Sequence, residues 1–430
     1  MFGPGARATG TGDRGATMKS PSSADPQRWP LGLVLLAAAG VFALTMGTRQ
    51  TMGLFLGSLN TATGLGLGQI SLAFAFGQLW WGLTQPFAGA MADKVGTGRV
   101  LLAGIVLVAL GTFITPFMTS TAGLIFAIGV LAAGGAGMAG PAVLMSATSR
   151  LIAADKRGIA TGIVNAGGSF GQFVMAPIAG ALMAGLGWSG AMQVLGLIVL
   201  LALPAAFVLK GDAQHAAPAD AQPVGAREAI RGALRERDFL LLGGGFFVCG
   251  FHVAFLATHL PGVIASCGLP LQFGAWSLAL LGLFNIIGSV AVGWAIGRWR
   301  MKSLLSLVYA TRAIAVLLFL LAPKTGPVVL AFSAVMGLTF LSTVPPTAGL
   351  VAKFFGLGNM ATLFGVVMLS HQVGGFLGAW LGGRVFEATG SFDWIWYVDI
   401  VLAVGAALLN LPIREAPVVR AAAAGAAPAR

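Results

Sequence analysis

Apolar residues in this chain come in long runs rather than alternating with polar ones. The runs are separated by short segments rich in Gly, Pro and charge. A run of ~20 apolar residues at ~1.5 Å rise crosses the ~30 Å hydrocarbon core of a bilayer. Runs and breakers together predict twelve membrane-spanning helices: 31–57, 69–92, 99–118, 121–148, 158–184, 188–210, 239–264, 272–297, 303–322, 327–351, 360–384 and 391–413. A barrel is excluded, because its strands would alternate polar and apolar every second residue. The expected fold class is therefore an all-α integral membrane protein.

The spans divide six and six around residues 211–238, which are rich in Ala, Pro, Gln and charge and read as a linker. The expected organisation is a polar tail (1–29), a six-helix bundle (30–210), the linker (211–238), a second bundle (239–413) and a tail (414–430). Residues 1–29 lack the apolar core of a cleavable signal peptide. Charge tests the order. Of the 25 Lys and Arg, 21 fall in segments on the side of the termini, Lys324 and Arg384 fall on the other side, and Arg49 and Arg312 lie within spans. This positive-inside pattern predicts a multi-pass protein with both termini cytoplasmic. The halves also echo each other. A charged hinge, Gly89-Ala-Met-Ala-Asp93-Lys94-Val-Gly96-Thr-Gly-Arg99, has a weaker copy in Gly293-Trp-Ala-Ile-Gly297-Arg298-Trp-Arg300-Met-Lys302, and Gly168-Ser-Phe170 parallels Gly374-Gly-Phe376. Repetition at half-chain spacing points to a duplicated membrane protein.

Composition narrows the function. Over 430 residues the chain is 57% hydrophobic and only 9% charged, with a mean hydropathy of +0.89, against about 25% charged for a soluble domain. The net charge of +12 does not indicate nucleic acid, because the basic residues sit in short loops rather than on one polar face. Cys249 and Cys267, on one helix, would stand ~27 Å apart, far beyond bridging distance. His252 and His259 share a helix face, but no further ligand has metal spacing, so no metal is expected. No phosphate-binding G-x-x-x-x-G-K-[ST] occurs, and no nucleophile–base pair is evident. A cofactor-free protein that is not an enzyme is expected, with a proton gradient as its energy source.

Gly89, Asp93, Lys94 and Gly96 match G-x-x-x-D-(R/K)-x-G, the loop signature of the major facilitator superfamily, at its place between spans two and three. The chain resembles that family over about residues 30–413. The resemblance implies two pseudo-symmetric six-helix bundles rocking about a mid-membrane site, with this loop and Arg99 acting in gating. Two departures stand out: Thr97-Gly98 replaces the basic pair usual after Gly96, and Gly297 replaces the aspartate of the second copy. Within the family the chain is most similar to the monocarboxylate porters and their bacterial oxalate–formate antiporter relatives. That likeness rests on Arg49-Gln-Thr-Met-Gly53-Leu-Phe55, Phe251-His252, Thr258-His259-Leu-Pro261 and Ser370-His371-Gln372-Val-Gly374. Where those porters carry an Asp and an Arg in span eight, this chain has Asn285 and Ser289.

Ionisable groups inside a membrane are costly and mark functional candidates. Arg49 and Arg312 are embedded, while Asp399 is the one acid well inside a span. A buried guanidinium without an acid favours an anionic ligand, since it keeps its proton and an unpaired buried charge is expensive. Arg49, ~8 Å from the centre of its predicted span, is the leading substrate contact; the alternative is snorkelling to the surface. Arg312 reads as a structural partner of Asp399 or as a ligand contact. His252 and His371 are substrate and proton-coupling candidates, or neutral interhelical ties. Gln372 and Asn285 offer hydrogen bonds to substrate or to neighbouring helices. Pro345-Pro346 marks a hinge.

The expectation is a proton-coupled secondary transporter of a small organic anion, a monocarboxylate on the family likeness. It would act as a monomer in a bacterial inner membrane. A proton-antiporting effluxer of drugs or metabolites and a non-transporting receptor are the alternatives.

Overall fold

The computed structural model describes residues 29–151, 157–210, 226–356 and 360–418. The tails 1–28 and 419–430 and the segments 152–156, 211–225 and 357–359 lie outside them. The first bundle comprises α1 (Leu31–Thr63), α2 (Leu67–Val95), α3 (Thr97–Phe117), α4 (Thr121–Thr148), α5 (157–186) and α6 (188–208). The second comprises α7 (Arg237–Ser266), α8 (Leu271–Ala295), α9 (Met301–Leu321), α10 (Gly326–Phe355), α11 (Met360–Thr389) and α12 (Asp393–Asn410). Helices are the form to expect, because in lipid every backbone polar group must be satisfied within its own segment. Among the described residues, ten segments are long and apolar enough to span; α2, with its glutamines, is less apolar, and α5 and α6 count as one segment. Side chains such as Leu36, Phe87 and Leu321 are more than two-thirds exposed and supply the lipid-facing surface.

Several boundaries differ from the sequence expectation, each for a local reason. α1 continues past residue 57 through a 3₁₀ turn at Met52–Phe55 and ends at Thr63, where Gly64 takes a left-handed φ of 66°. The polar residues Ser58, Asn60 and Thr61 read as loop, but they stay helical with backbone bonds made internally. Between α5 and α6 the sole break is Gly187, with φ 71°. α10 stops at Thr339 and resumes at Val344, so Pro345 and Pro346 sit in the first turn of a new segment, where proline costs no hydrogen bond. Inside the expected linker, Ala226–Ala233 is an amphipathic helix that buries Ala229 and Ala233 beside α11 and exposes Arg227 and Arg231.

The hinge between α2 and α3 is tight. Gly96, with φ 94°, ends one helix and begins the next. Thr97 and Gly98, in place of the basic pair, are buried against the end of α6: the Thr97 hydroxyl donates to the Leu209 carbonyl at 2.7 Å. Lys94 and Arg99 are exposed, Gly89 faces open space, and the side chain of Asp93 lies outside the described part of the structure.

Each bundle holds a close, parallel pair formed by its first and fifth helices. On α5, Gly167 and Gly171 press against Ala39 and Ala43 of α1; on α11, Gly374 and Gly378 press against Phe247 and Phe251 of α7. The equivalent glycines are thus Gly167 and Gly374, one residue out of step with the likeness read from Gly168. Small residues suit this packing, since between lipid-immersed helices attraction comes from backbone approach rather than water exclusion.

Between the bundles, α2 descends as α11 ascends. Gly66 and Gly68 lie against Glu387, Gly68 also against Arg384, and Gly82 lies under the Gln372 side chain. α5 and α8 pair likewise through Gly180 with Ala275 and Ser169 with Gly282. α1 meets α7 where Gly53 abuts the carbonyls of Ala257 and Thr258. All of these contacts lie from mid-depth to the charge-poor face, the one that carries Lys324 and Arg384. Toward the basic face no comparable approach joins α4 to α10 among the described residues. The two bundles are closed at the charge-poor end.

A Cβ at Gly53 cannot fit against those carbonyls, and overpacking of this kind costs about 1–3 kcal/mol. Gly53→Val is expected to shift the population toward opening at this face. A cysteine placed at Leu65, in a Cys267→Ser background, should then react several-fold faster with a membrane-impermeant maleimide. Unchanged labelling would remove Gly53 from the closure.

Candidate functional site

Because α1 runs to Thr63, its midpoint is near residue 47, and Arg49 lies ~3 Å from it rather than ~8 Å. Its guanidinium donates to Gln78 Oε1 of α2 at 2.5 Å and stands over the Trp81 ring, 5.0 Å from the centroid. Met46 Sδ is 3.9 Å from Nη1. Among the described residues, the ion pairs are His252–Asp399, Lys353–Glu415 and Arg384–Glu387, and none involves Arg49. A mid-helix cation is thus answered by one neutral amide and one aromatic face.

A cavity of about 30 Å³ adjoins Arg49 and Gln78. Its walls include Phe74 of α2, Ile128 and Ala133 of α4, and Thr258 of α7. Two irregular helix stretches meet here: the 3₁₀ turn that follows Arg49, and a π-helical stretch of α4 at Ile125–Ala133. Such departures widen or tighten a helix locally and recur at functional sites. The volume admits a water or two but not a carboxylic acid, since ligand pockets run to ~300 Å³ and above. A ligand reaches the guanidinium only when these walls part.

From Gln78 the polar chain crosses to the second bundle. Gln372 Nε2 of α11 donates to the Gln78 backbone carbonyl at 2.7 Å, and Gln372 Oε1 lies 2.9 Å from His371 Nδ1. His371 Nε2 is buried without a hydrogen-bond partner. Arg49, Gln372 and His371 are therefore joined, through Gln78 and across the interface between the bundles. Gln78 was not singled out from the sequence; the available signal was an amide three residues before Trp81 in an otherwise apolar run.

His252 and Asn285 go elsewhere. His252 Nε2 stands 3.0 Å from Asp399 Oδ1 and 3.2 Å from the Asp399 carbonyl, while Nδ1 faces Arg312 Nη1 at 3.4 Å. Arg312 donates to the carbonyls of Thr339 and, at 2.9 Å, Phe340, which the break in α10 leaves without helical partners. Cys249 Sγ is 3.6 Å from Arg312 and 3.0 Å from the Thr343 hydroxyl. The expected Arg312–Asp399 association therefore runs through His252. Asn285 accepts from the Leu341 N–H at 3.0 Å, on the other side of the same break, and donates to Ser169 of α5 at 2.8 Å. His259 bonds the Ala379 carbonyl at 2.7 Å and ties α7 to α11.

This architecture, with an intact charged hinge between α2 and α3, agrees with comparison to known proteins. The sequence profile of the Major Facilitator Superfamily matches residues 35–379. The chain belongs to the major facilitator superfamily. It is a membrane transporter of that family and not an enzyme. Similar curated proteins include the uncharacterised superfamily transporter YcxA of Bacillus subtilis, 25% identical over 86% of this chain and 92% of that protein. Monocarboxylate transporter 13 of Rattus norvegicus is 25% identical over 88% of each chain. Monocarboxylate transporter 11 of Mus musculus is 26% identical over 87% of this chain and 85% of the relative. Among solved structures, a bacterial homologue of the human lysosomal transporter Spinster, crystallised in an inward-facing and unoccupied conformation, shares the fold. Its TM-score is 0.69 at 14% identity, over 90% of this chain and 94% of the other.

The two membrane arginines of this transporter should respond differently to removal. Arg312→Met strips two carbonyls and His252 of their donor, and breaking a buried charged cluster costs about 3–5 kcal/mol. Arg49→Met removes a cation that has no acidic partner and should change stability by less than about 1 kcal/mol. Thermal unfolding of the purified variants in detergent checks this; equal losses would make Arg49 structural.

Proposed function

We propose that this transporter carries a small organic anion, a monocarboxylate, together with a proton by alternating access. It would work as a monomer in a bacterial cytoplasmic membrane, with both termini in the cytoplasm. The observation that carries the reading is Arg49, a guanidinium at mid-helix with no carboxylate beside it among the described residues and a neutral amide at 2.5 Å. A carboxylate is the ligand best suited to complete this environment, because it accepts two parallel N–H bonds from one guanidinium and neutralises it. Gln78 would yield to the arriving anion, with Gln372 and His371 drawn in from the second bundle as the halves close around it. A proton carried with the monocarboxylate would make the cycle electroneutral; of the two candidate histidines, His371 at the bundle interface would meet it first, while His252 would act only through its contact with Asp399. The similarity to proteins named monocarboxylate transporters supports the substrate class.

Charge-assisted hydrogen bonds contribute about 1.5–3 kcal/mol each, so losing a bidentate pair is worth about 100-fold or more in binding. The test uses protein in liposomes under an inward proton gradient, offered labelled lactate, pyruvate, acetate, oxalate and a cationic dye. Carboxylate uptake should be driven by the gradient and fall at least about 100-fold in Arg49→Ala, with Arg49→Lys intermediate. Gln78→Glu, which sets an internal carboxylate beside the guanidinium, should abolish uptake. Movement of the dye without carboxylate uptake would overturn the reading in favour of an effluxer.

A further inference from the structure

The cluster inside the second bundle is not used by the anion site, and its geometry gives it a separate role. Arg312, His252, Cys249 and Asp399 are each no more than 1% exposed, on α9, α7 and α12. α7 presents His252 and Cys249 toward Asp399, and α9 presents Arg312 with Tyr309 behind it. α11 brings His371 beside Cys249, while α10 contributes the Thr343 hydroxyl and two carbonyls.

Hydrogen-bond logic assigns the protons. A guanidinium only donates, so His252 Nδ1, facing Arg312, is the acceptor and the ring proton sits on Nε2 toward Asp399. A second ring proton would set N–H against N–H, which holds His252 as a neutral ring. The Asp399 carboxyl is then the group with room for a proton. Neither of its oxygens receives a well-directed hydrogen bond, and Arg312 spends its bonds on helix carbonyls instead of on it.

We propose that Asp399 binds the coupling proton and that Arg312 reports its occupancy to the break in α10. This deepens the proton-symport reading above and rests on it. A proton arriving from the charge-poor side adds to a carboxylate oxygen of Asp399. The neutral acid leaves Arg312 on the Thr339 and Phe340 carbonyls, as in this structure. When that proton departs toward the basic face, the carboxylate draws Arg312 across and the two carbonyls lose their donor. The two segments of α10 can then turn about residues 340–343. Asn285 conveys the movement, because it holds Leu341 on one side and Ser169 of the first bundle on the other. His371, 8% exposed and joined to Gln372, is the entry to the cluster from the bundle interface.

The test compares wild type with Asp399→Asn and Asp399→Glu in liposomes, measuring gradient-driven accumulation of the carboxylate and, separately, exchange of labelled for unlabelled carboxylate without a gradient. Asp399→Asn is expected to lose accumulation at least tenfold while exchange stays within about tenfold of wild type, and Asp399→Glu should restore accumulation in part. Gradient-driven accumulation by Asp399→Asn with the wild-type pH profile would overturn the assignment and leave the symport reading standing. Wild-type uptake that reaches the same level with and without the proton gradient would overturn symport, and this inference with it. Should Asp399→Asn fail to fold, infrared difference spectra of wild type and Asp399→Glu decide the matter. The protonated-carboxyl band should respond to pH and carboxylate in wild type and shift in the Glu variant; a band unaffected by the substitution overturns the proposal.

Discussion

A guanidinium cannot shed its proton, and in hydrocarbon it must find donors' counterparts within the protein. This chain holds two such groups at depth and answers them by different means. Arg312 is met by carbonyls that a helix break releases, by a ring nitrogen and by a thiol. Arg49 has one amide oxygen, a thioether and an aromatic face. The break in α10 and the donor on α9 are mutually necessary: without Arg312 the freed carbonyls would be orphaned, and without the break the cation would have no acceptors. Arg49 has no equivalent arrangement among the described residues, and that incompleteness is the ground on which it is proposed as the anion site.

The packing of the bundles suits them to move as units. α1 with α5, and α7 with α11, approach at backbone distance along parallel glycine-bearing faces. Close-packed pairs of this kind are bistable rather than continuously deformable, so change is confined to the joints between bundles and to interruptions within helices. Those joints are the antiparallel contacts of α2 with α11 and α5 with α8. The interruptions are the 3₁₀ turn after Arg49, the π stretch of α4 and the gap at 340–343. Each interruption lies next to a polar side chain discussed above, so the flexible places and the chemical places coincide.

Features written along one segment were legible in the sequence. Run length marked the spans, Lys and Arg marked the loops, and the Gly89–Gly96 spacing marked the hinge, where Gly96 takes a φ that favours glycine. Features that depend on which helix faces which were not. His252 and His371 look alike in sequence, each a histidine near mid-span, yet one is locked between Asp399 and Arg312 while the other lies at the bundle interface. Asn285 and Gln372 differ in the same way: the first has its amide filled by a helix break and a serine, the second bridges to Gln78. The place of Arg49 along its helix was misjudged because Ser58, Asn60 and Thr61 have the composition of a loop, while the helix simply continues through them to Thr63.

The neutrality of Gln78 bears on how an anion site can release what it binds. A glutamate at that position would hold Arg49 more strongly in the empty state, and every arriving carboxylate would have to displace a charge of its own kind from a low-dielectric setting. An amide holds the side chain in place by one hydrogen bond, which an anion can replace with two. The difference between those states is differential binding energy, and a ligand shifts a conformational equilibrium only by as much as it distinguishes the two states. Because Gln78 is also tied through its backbone to Gln372 of the other bundle, exchanging the amide for an anion changes the contact between the halves at the moment of binding. On the proposed mechanism, Arg49 and Gln78 would link occupancy of the site to the interface that opens and closes around it.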